Sequence, residues 1–235
     1  FKEKDYVEAS VKPNQSLLGS AKTIFKNKSF VTFFAGDLFS YISMAFFQTA
    51  MLYYITMLLN VKQYGDPVLR AVSAPVEKIT DELKNLVENM IETMYATEGI
   101  GLAAPQVGVN MRLVVIDIPE DEEEGDEPEM ITVNGEQKPM RSIMPLVFIN
   151  PELEPYGKQY LFTEGCLSVP EKYGIVKRPY IAKVRAQDRN GQWYEAEGEE
   201  LIARCFCHEL DHLDGILYTQ VMDRFLTQEE LEADD

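Results

Sequence analysis

Two histidines, His208 and His212, stand four residues apart in the stretch HELDHLDG, with Glu209 directly after the first. On a helix, positions i and i+4 share one face about one turn apart, so both imidazoles can reach a single ion. Glu209 projects close enough to accept a proton from water activated by such an ion. Upstream, Cys166 in EGCLSVP offers a thiolate. Cys166, His208 and His212 together make three protein ligands for one divalent metal, leaving a fourth, tetrahedral position open. The five letters HExxH also arise by chance on surface helices, so the weight falls on the residues around them.

The elements that must position these groups are legible as patterns. A helix is expected from about 201 to 213, closed by Gly215. A second helix follows Thr80, a fitting N-cap, with Leu83, Leu86, Val87, Met90, Ile91 and Met94 at helical spacing. Gly99 and Gly101 are expected to break it. Strands are expected in MRLVVIDI, LVFINPEL, GIVKRPYIAKVRAQD and GQWYEAEGEE, with a hairpin turn at Asp188-Arg189-Asn190-Gly191 between the last two. Gly65-Asp66-Pro67 signals a turn near the start of this region. Residues 119–130 read as a solvated acidic loop, and LTQEELEADD as a short acidic tail.

Composition narrows the class. The chain has 235 residues, enough for one large domain, or a domain and an extension, without disulfide staples. Cys166, Cys205 and Cys207 make a poor disulfide framework, and one is needed as a thiolate, which suits a reducing cytosol. The net charge of −17 argues against a nucleic-acid-binding surface. That charge is uneven: residues 1–60 carry six lysines against four acids, and the remainder is strongly acidic. Nearly half of the aromatic residues also fall in those first 60 positions.

Two kinds of sequence are therefore joined near residue 60. Residues 1–28 read as a polar, linker-like segment. Residues 29–60 read as an apolar helix whose thirty-residue core from Phe30 to Leu59 would be about 45 Å long, a candidate membrane segment or a foreign fragment. Asp37 and Gln48 would be costly against lipid, as in a helix taken from a polytopic bundle. Residues 20–60, around NKSF and these two polar positions, resemble a loop and one helix of sugar–cation symporters of the major facilitator superfamily. The chain begins at Phe1, which suits a fragment or a misjoined reading frame.

Three motifs occur in order over 61–226: GIGLAAPQVG (99–108), EGCLSVP (164–170) and CHELDHLDG (207–215). In combination they resemble peptide deformylase, a metal amidohydrolase that removes the formyl group from the N-terminal methionine of nascent proteins. The resemblance implies an α+β fold in which small mixed or antiparallel sheets pack around a central metal-binding HExxH helix, here with an N-terminal apolar extension. It implies Cys166, His208 and His212 as ligands of one divalent metal, Fe2+ by precedent, with Zn2+, Ni2+ or Co2+ as substitutes. It implies Glu209 as general base and acid, and Gln106 with the backbone N–H of Leu167 as oxyanion donors.

Gly101 and Ile100 are expected at the substrate, and Asp211, Arg178 and Glu164 behind the ligands. Ile100, Leu167, Cys205 and His208 are expected walls of a methionine pocket. Cys207 departs from the glutamine found in many members before HExxH, and Tyr173 from an arginine that contacts substrate in some. The resemblance implies N-formylmethionyl peptides as partners and a cytoplasmic catalytic domain. The acidic tail implies transient ribosome contact at most. Membrane association through 30–59 and a transporter-derived chimera with an incidental metal domain stand as alternatives. So does a zinc endopeptidase drawing a further ligand from Asp214, Asp223, Glu229 or Glu230.

Overall fold

The computed structural model describes residue 26 and residues 28–119, 128–227 and 229–230. Most of the polar segment over 1–28, the centre of the acidic loop and the end of the tail lie outside the described residues. The chain divides into two compact units, Phe1–Thr56 and Met57–Asp235.

The first unit holds helix α1 (Lys28–Met57), close to the expected bounds. Its sequence has no proline and one glycine, so nothing breaks the hydrogen-bond ladder. The hydroxyls of Thr32 and Ser40 donate back to the carbonyls of Lys28 and Gly36, at 2.9 and 3.0 Å. Phe33, Phe39, Tyr41 and Phe46 are exposed. Among the described residues, no helix is long and apolar enough to cross a membrane.

In the second unit, helix α2 (Asp81–Ala96) starts where expected: Thr80 Oγ1 accepts from the N–H of Leu83 at 3.3 Å. Leu83, Val87, Met90, Ile91 and Met94 are buried along one face, and Leu86 packs at its margin. The helix ends before the glycines expected to break it. Glu98 takes the left-handed turn at φ 55°, and the N–H of Gly99 closes back on Met94 O at 2.9 Å.

Eight strands follow: β1 (Gly101–Ala103), β2 (Leu113–Ile116), β3 (Met130–Val133), β4 (Glu136–Pro139), β5 (Leu146–Cys166), β6 (Val169–Gln187), β7 (Trp193–Glu199) and β8 (Met222–Phe225). The small separate sheets expected from the sequence are in fact one. Among the described residues all eight strands join one sheet in the order β1-β2-β5-β6-β7-β3-β4, with β8 paired to β6. Every strand pairing is antiparallel. The reason lies in the long hairpin β5–β6, which extends well past the expected LVFINPEL strand and carries the ladder through three register shifts. The turn expected at 188–191 does form, with Gly191 N–H bonded to Asp188 O at 2.9 Å.

Helix α3 (Glu200–Leu213) carries HELDH and packs against one face of the sheet, while α2 covers the other. Strand β2 shows why. Val114 and Ile116 join the cluster under α3, whereas Leu113 and Val115 join the cluster under α2, as the period of two demands when both faces are covered. Phe206 of α3 meets Phe148 of β5 edge to face, ring centres 5.2 Å apart. A short helix α4 (Tyr218–Val221) follows, and Gly215 makes the turn between the two at φ 72°.

A Cβ at Gly215 would also lie 2.6 Å from Arg70 O, so two constraints meet there. Gly215→Ala is expected to lower stability by about 1–3 kcal/mol or more. Urea unfolding checks this, and a wild-type midpoint would contradict it.

Candidate active site

Helix α3 sets His208 and His212 on one face, their ring centres 5.0 Å apart and nearly perpendicular. Cys166 ends β5, and its Sγ lies 3.3 Å from His212 Nε2. One donor atom from each of these three residues lies within 4.8 Å of the others. Among the described residues, this cluster brings together the three side chains expected as metal ligands. Burial holds the pKa of His212 well below its ordinary value, which keeps the imidazole neutral, the form that binds metals.

Behind the cluster runs a chain of buried charge. Glu164 Oε2 sits 2.9 Å from His208 Nδ1, which turns the other ring nitrogen of His208 toward the site. Arg178 grips the same carboxylate with two donors, Nε at 2.7 Å and Nη2 at 3.1 Å, and reaches Asp211 Oδ2 through Nη1 at 2.7 Å. Burial alone would raise the pKa of Glu164, but its bonds to His208 and Arg178 bring it down to about 2. Burial likewise opposes a charge on His208, yet Cys166 and Glu164 outweigh it and raise its pKa.

Glu209 is fully enclosed, and burial pushes its carboxyl up to about 7. Its Oε2 is buried without a hydrogen-bond partner, as is His212 Nδ1. A soft thiolate, two imidazoles and an orphaned carboxylate oxygen beside them fit a divalent transition metal with an attached water. Space for Glu209 comes from Gly101, where a Cβ would lie 2.5 Å from Glu209 Oε1. Gln106 is aimed by its neighbours: its Oε1 accepts from Ala103 N–H at 2.8 Å. That leaves Nε2 as the donor, 3.5 Å from Cys166 Sγ and 3.3 Å from Ser168 Oγ.

A cavity of about 530 Å³ opens over these groups, and Ile100, Gly101, Leu167, Tyr173, Cys205 and His208 all line it. Burial raises the Cys205 thiol far above its ordinary range and the Cys207 thiol to about 12, so both stay protonated and neither joins the ligand cluster. Leu201 and Arg204 also line the cavity and were missed from sequence. The signal was present, because they lie seven and four residues before His208, on the same helical face. Ser168, inside EGCLSVP, and Tyr218, outside all three motifs, were missed as well. Of the downstream carboxylates considered for an endopeptidase, Asp214 is paired with Arg112 at 2.7 Å and Glu230 with Arg224 at 2.6 Å.

Residues 58–228 match the family model of polypeptide deformylase. The chain belongs to that family. It is similar to the peptide deformylase of Rhizorhabdus wittichii, at 48% identity over 160 residues, 68% of this chain and 83% of that protein. It is 45% identical to that of Lachnoclostridium phytofermentans over 161 residues, 68% of this chain and 86% of that one. Among solved structures, the Thermotoga maritima peptide deformylase shares 37% identity at a TM-score of 0.58, covering 71% of this chain and 98% of that one. The class I type b enzyme of Acinetobacter baumannii, solved with Met-Ala-Ser bound, shares 32% identity at 0.60, covering 70% and 98%. The matched span leaves most of residues 20–60 outside it, and the resemblance of that stretch to a symporter helix gains no support from these comparisons.

Removing Arg178 would leave Glu164 and Asp211 without their shared cation. Arg178→Met is expected to cost about 3–5 kcal/mol of stability. Adding Glu164→Gln should recover part of that loss, measured by urea unfolding of the single and double variants. Strict additivity would show that the pair is not coupled.

Proposed function

We propose that this chain hydrolyses the N-formyl group of N-formylmethionyl peptides and releases formate. The observation that carries this reading is the unpartnered carboxylate oxygen of Glu209 beside the cluster of Cys166, His208 and His212, in a chain of the deformylase family. The Met-Ala-Ser peptide bound by the Acinetobacter baumannii relative supports the same substrate class. Cys166, His208 and His212 would hold one divalent ion, Fe2+ by preference, with Zn2+, Ni2+ or Co2+ as substitutes. What such an ion supplies is Lewis acidity, enough to make water a nucleophile near neutral pH.

The rest of the chemistry belongs to the chain. Glu209 takes a proton from the attacking water and later delivers one to the departing amine. A carboxyl pushed toward neutrality by burial suits both transfers, since it can accept and release a proton at similar cost. As the formyl carbon becomes tetrahedral, its oxygen gains negative charge. Gln106 Nε2 and the backbone N–H of Leu167 donate to that oxygen. Ile100, Leu167 and Cys205 enclose the methionine side chain, and Gly101 lets the peptide backbone come close.

Residues 61–226 form the catalytic domain in this reading, with α3 as its metal-binding centre. The stretch over 29–60, most of which lies outside the family match, takes no part in the chemistry in this reading. The catalytic domain works in the cytoplasm, where formylated chains are made, with ribosome contact that is transient at most and no specific nucleic-acid binding.

Glu209→Gln keeps the shape of the side chain but cannot take the proton. Its kcat for formate release from a formyl-Met peptide should fall by about 10²–10⁴ while bound metal stays at the wild-type level. Retained activity would remove Glu209 from the mechanism. Loss of metal together with activity would make it a support of the ligands instead.

A further inference from the structure

Tyr218 stands outside the three motifs and touches both halves of the site. Its ring lies nearly parallel to that of His208, centres 6.1 Å apart at an angle of 24°. Its hydroxyl donates to the carbonyl of Lys172 at 2.8 Å. The side chain is almost fully buried, in a cluster with Val169 and Val176 against which Cys166 packs. Gly174 of β6 leaves room for the ring, since a Cβ there would lie 3.0 Å from Tyr218 Cε2. One rigid side chain thus lies alongside the His208 imidazole and ties down the start of β6. Pro170, Glu171, Lys172 and Tyr173, in that part of β6, line the cavity.

Resting on the proposed function, we propose that Tyr218 is a positioning residue that couples the metal-ligand helix to the substrate-facing end of β6. His208 is held at Nδ1 by Glu164, which fixes one edge of the ring but not its tilt about that bond. The Tyr218 ring blocks that tilt. Its hydroxyl acts on the other side of the cavity. The Lys172 carbonyl it holds is in the backbone next to Tyr173, which lines the cavity. A second tie, from Leu226 N–H to Tyr173 O at 2.9 Å, means that losing the hydroxyl loosens this segment without freeing it. Ring and hydroxyl therefore act on different quantities, metal retention for the first and peptide binding for the second.

The test uses the full chain loaded with Co2+, comparing wild type, Tyr218→Phe and Tyr218→Leu. Loss of cobalt to a chelator and the separate kcat and KM for formyl-Met-Ala-Ser are measured. Tyr218→Phe keeps the ring, so cobalt loss should match wild type, while KM rises about three- to tenfold and kcat stays within about twofold. Tyr218→Leu should also lose cobalt about tenfold faster. A wild-type KM in Tyr218→Phe, or wild-type cobalt retention in Tyr218→Leu, overturns the proposal. So does a fall in kcat with KM unchanged. Should Tyr218→Leu fail to fold, the KM of Tyr218→Phe decides alone. Should wild type release no formate, the functional reading fails, and the cobalt comparison still decides whether the ring positions His208.

Discussion

The site depends on a negative charge buried where charge is expensive. Glu164 lies almost wholly inside the protein, and it remains ionised because Arg178 and His208 surround it. That arrangement orients His208 and links three elements. Glu164 comes from β5, Arg178 from β6, and Asp211 and His208 from α3. The ion network thereby fixes how the helix sits on the sheet, with Cys166 of β5 brought to face His208 and His212 of α3. A hydrophobic interface could hold the helix as firmly, but it would not polarise the His208 imidazole.

Around this network, small residues decide where large groups can go. Gly101 admits Glu209, Gly174 admits Tyr218, and Gly165 lies where a Cβ would come 2.9 Å from the ring of Tyr173. At each of these three points a strand glycine thus meets a reactive or bulky group opposite. Gln106 is held the same way, by a backbone donor that decides which end of its amide faces the cluster. The reactive groups are preorganised by packing, which is the condition for electrostatic stabilisation of a developing charge.

Much of this was legible from sequence, for reasons that differ by element. Helix α2 has an N-cap and α3 a closing glycine, and both have a helical apolar period and enough length to stand above chance. The pairing of His208 with His212 follows from a spacing of four. The Cys166 ligand and the Gln106 donor emerged only through the motifs, because nothing local in EGCLSVP or APQVG states a geometry. The single sheet was not legible. β1 has three residues and β8 four, and such short strands are defined by the partner they pair with. The middle of β5–β6, with Pro155 and Gly157, lies beyond the expected strand LVFINPEL and continues the ladder through a register shift. The contacts of Gly101 with Glu209 and of Tyr218 with His208 and Lys172 are tertiary, and sequence spacing carries no trace of them.

The central claim is that one ion, held by Cys166, His208 and His212, turns this pocket into a deformylase. The most direct measurement strips the protein with a chelator under anaerobic conditions. Ferrous iron is then returned in steps while formate release from a formyl-Met peptide is followed. The account predicts no release from the stripped protein, and a return of activity that saturates at a single ion per chain. Formate release by the stripped protein, or cleavage at internal peptide bonds on restoring the metal, would contradict it.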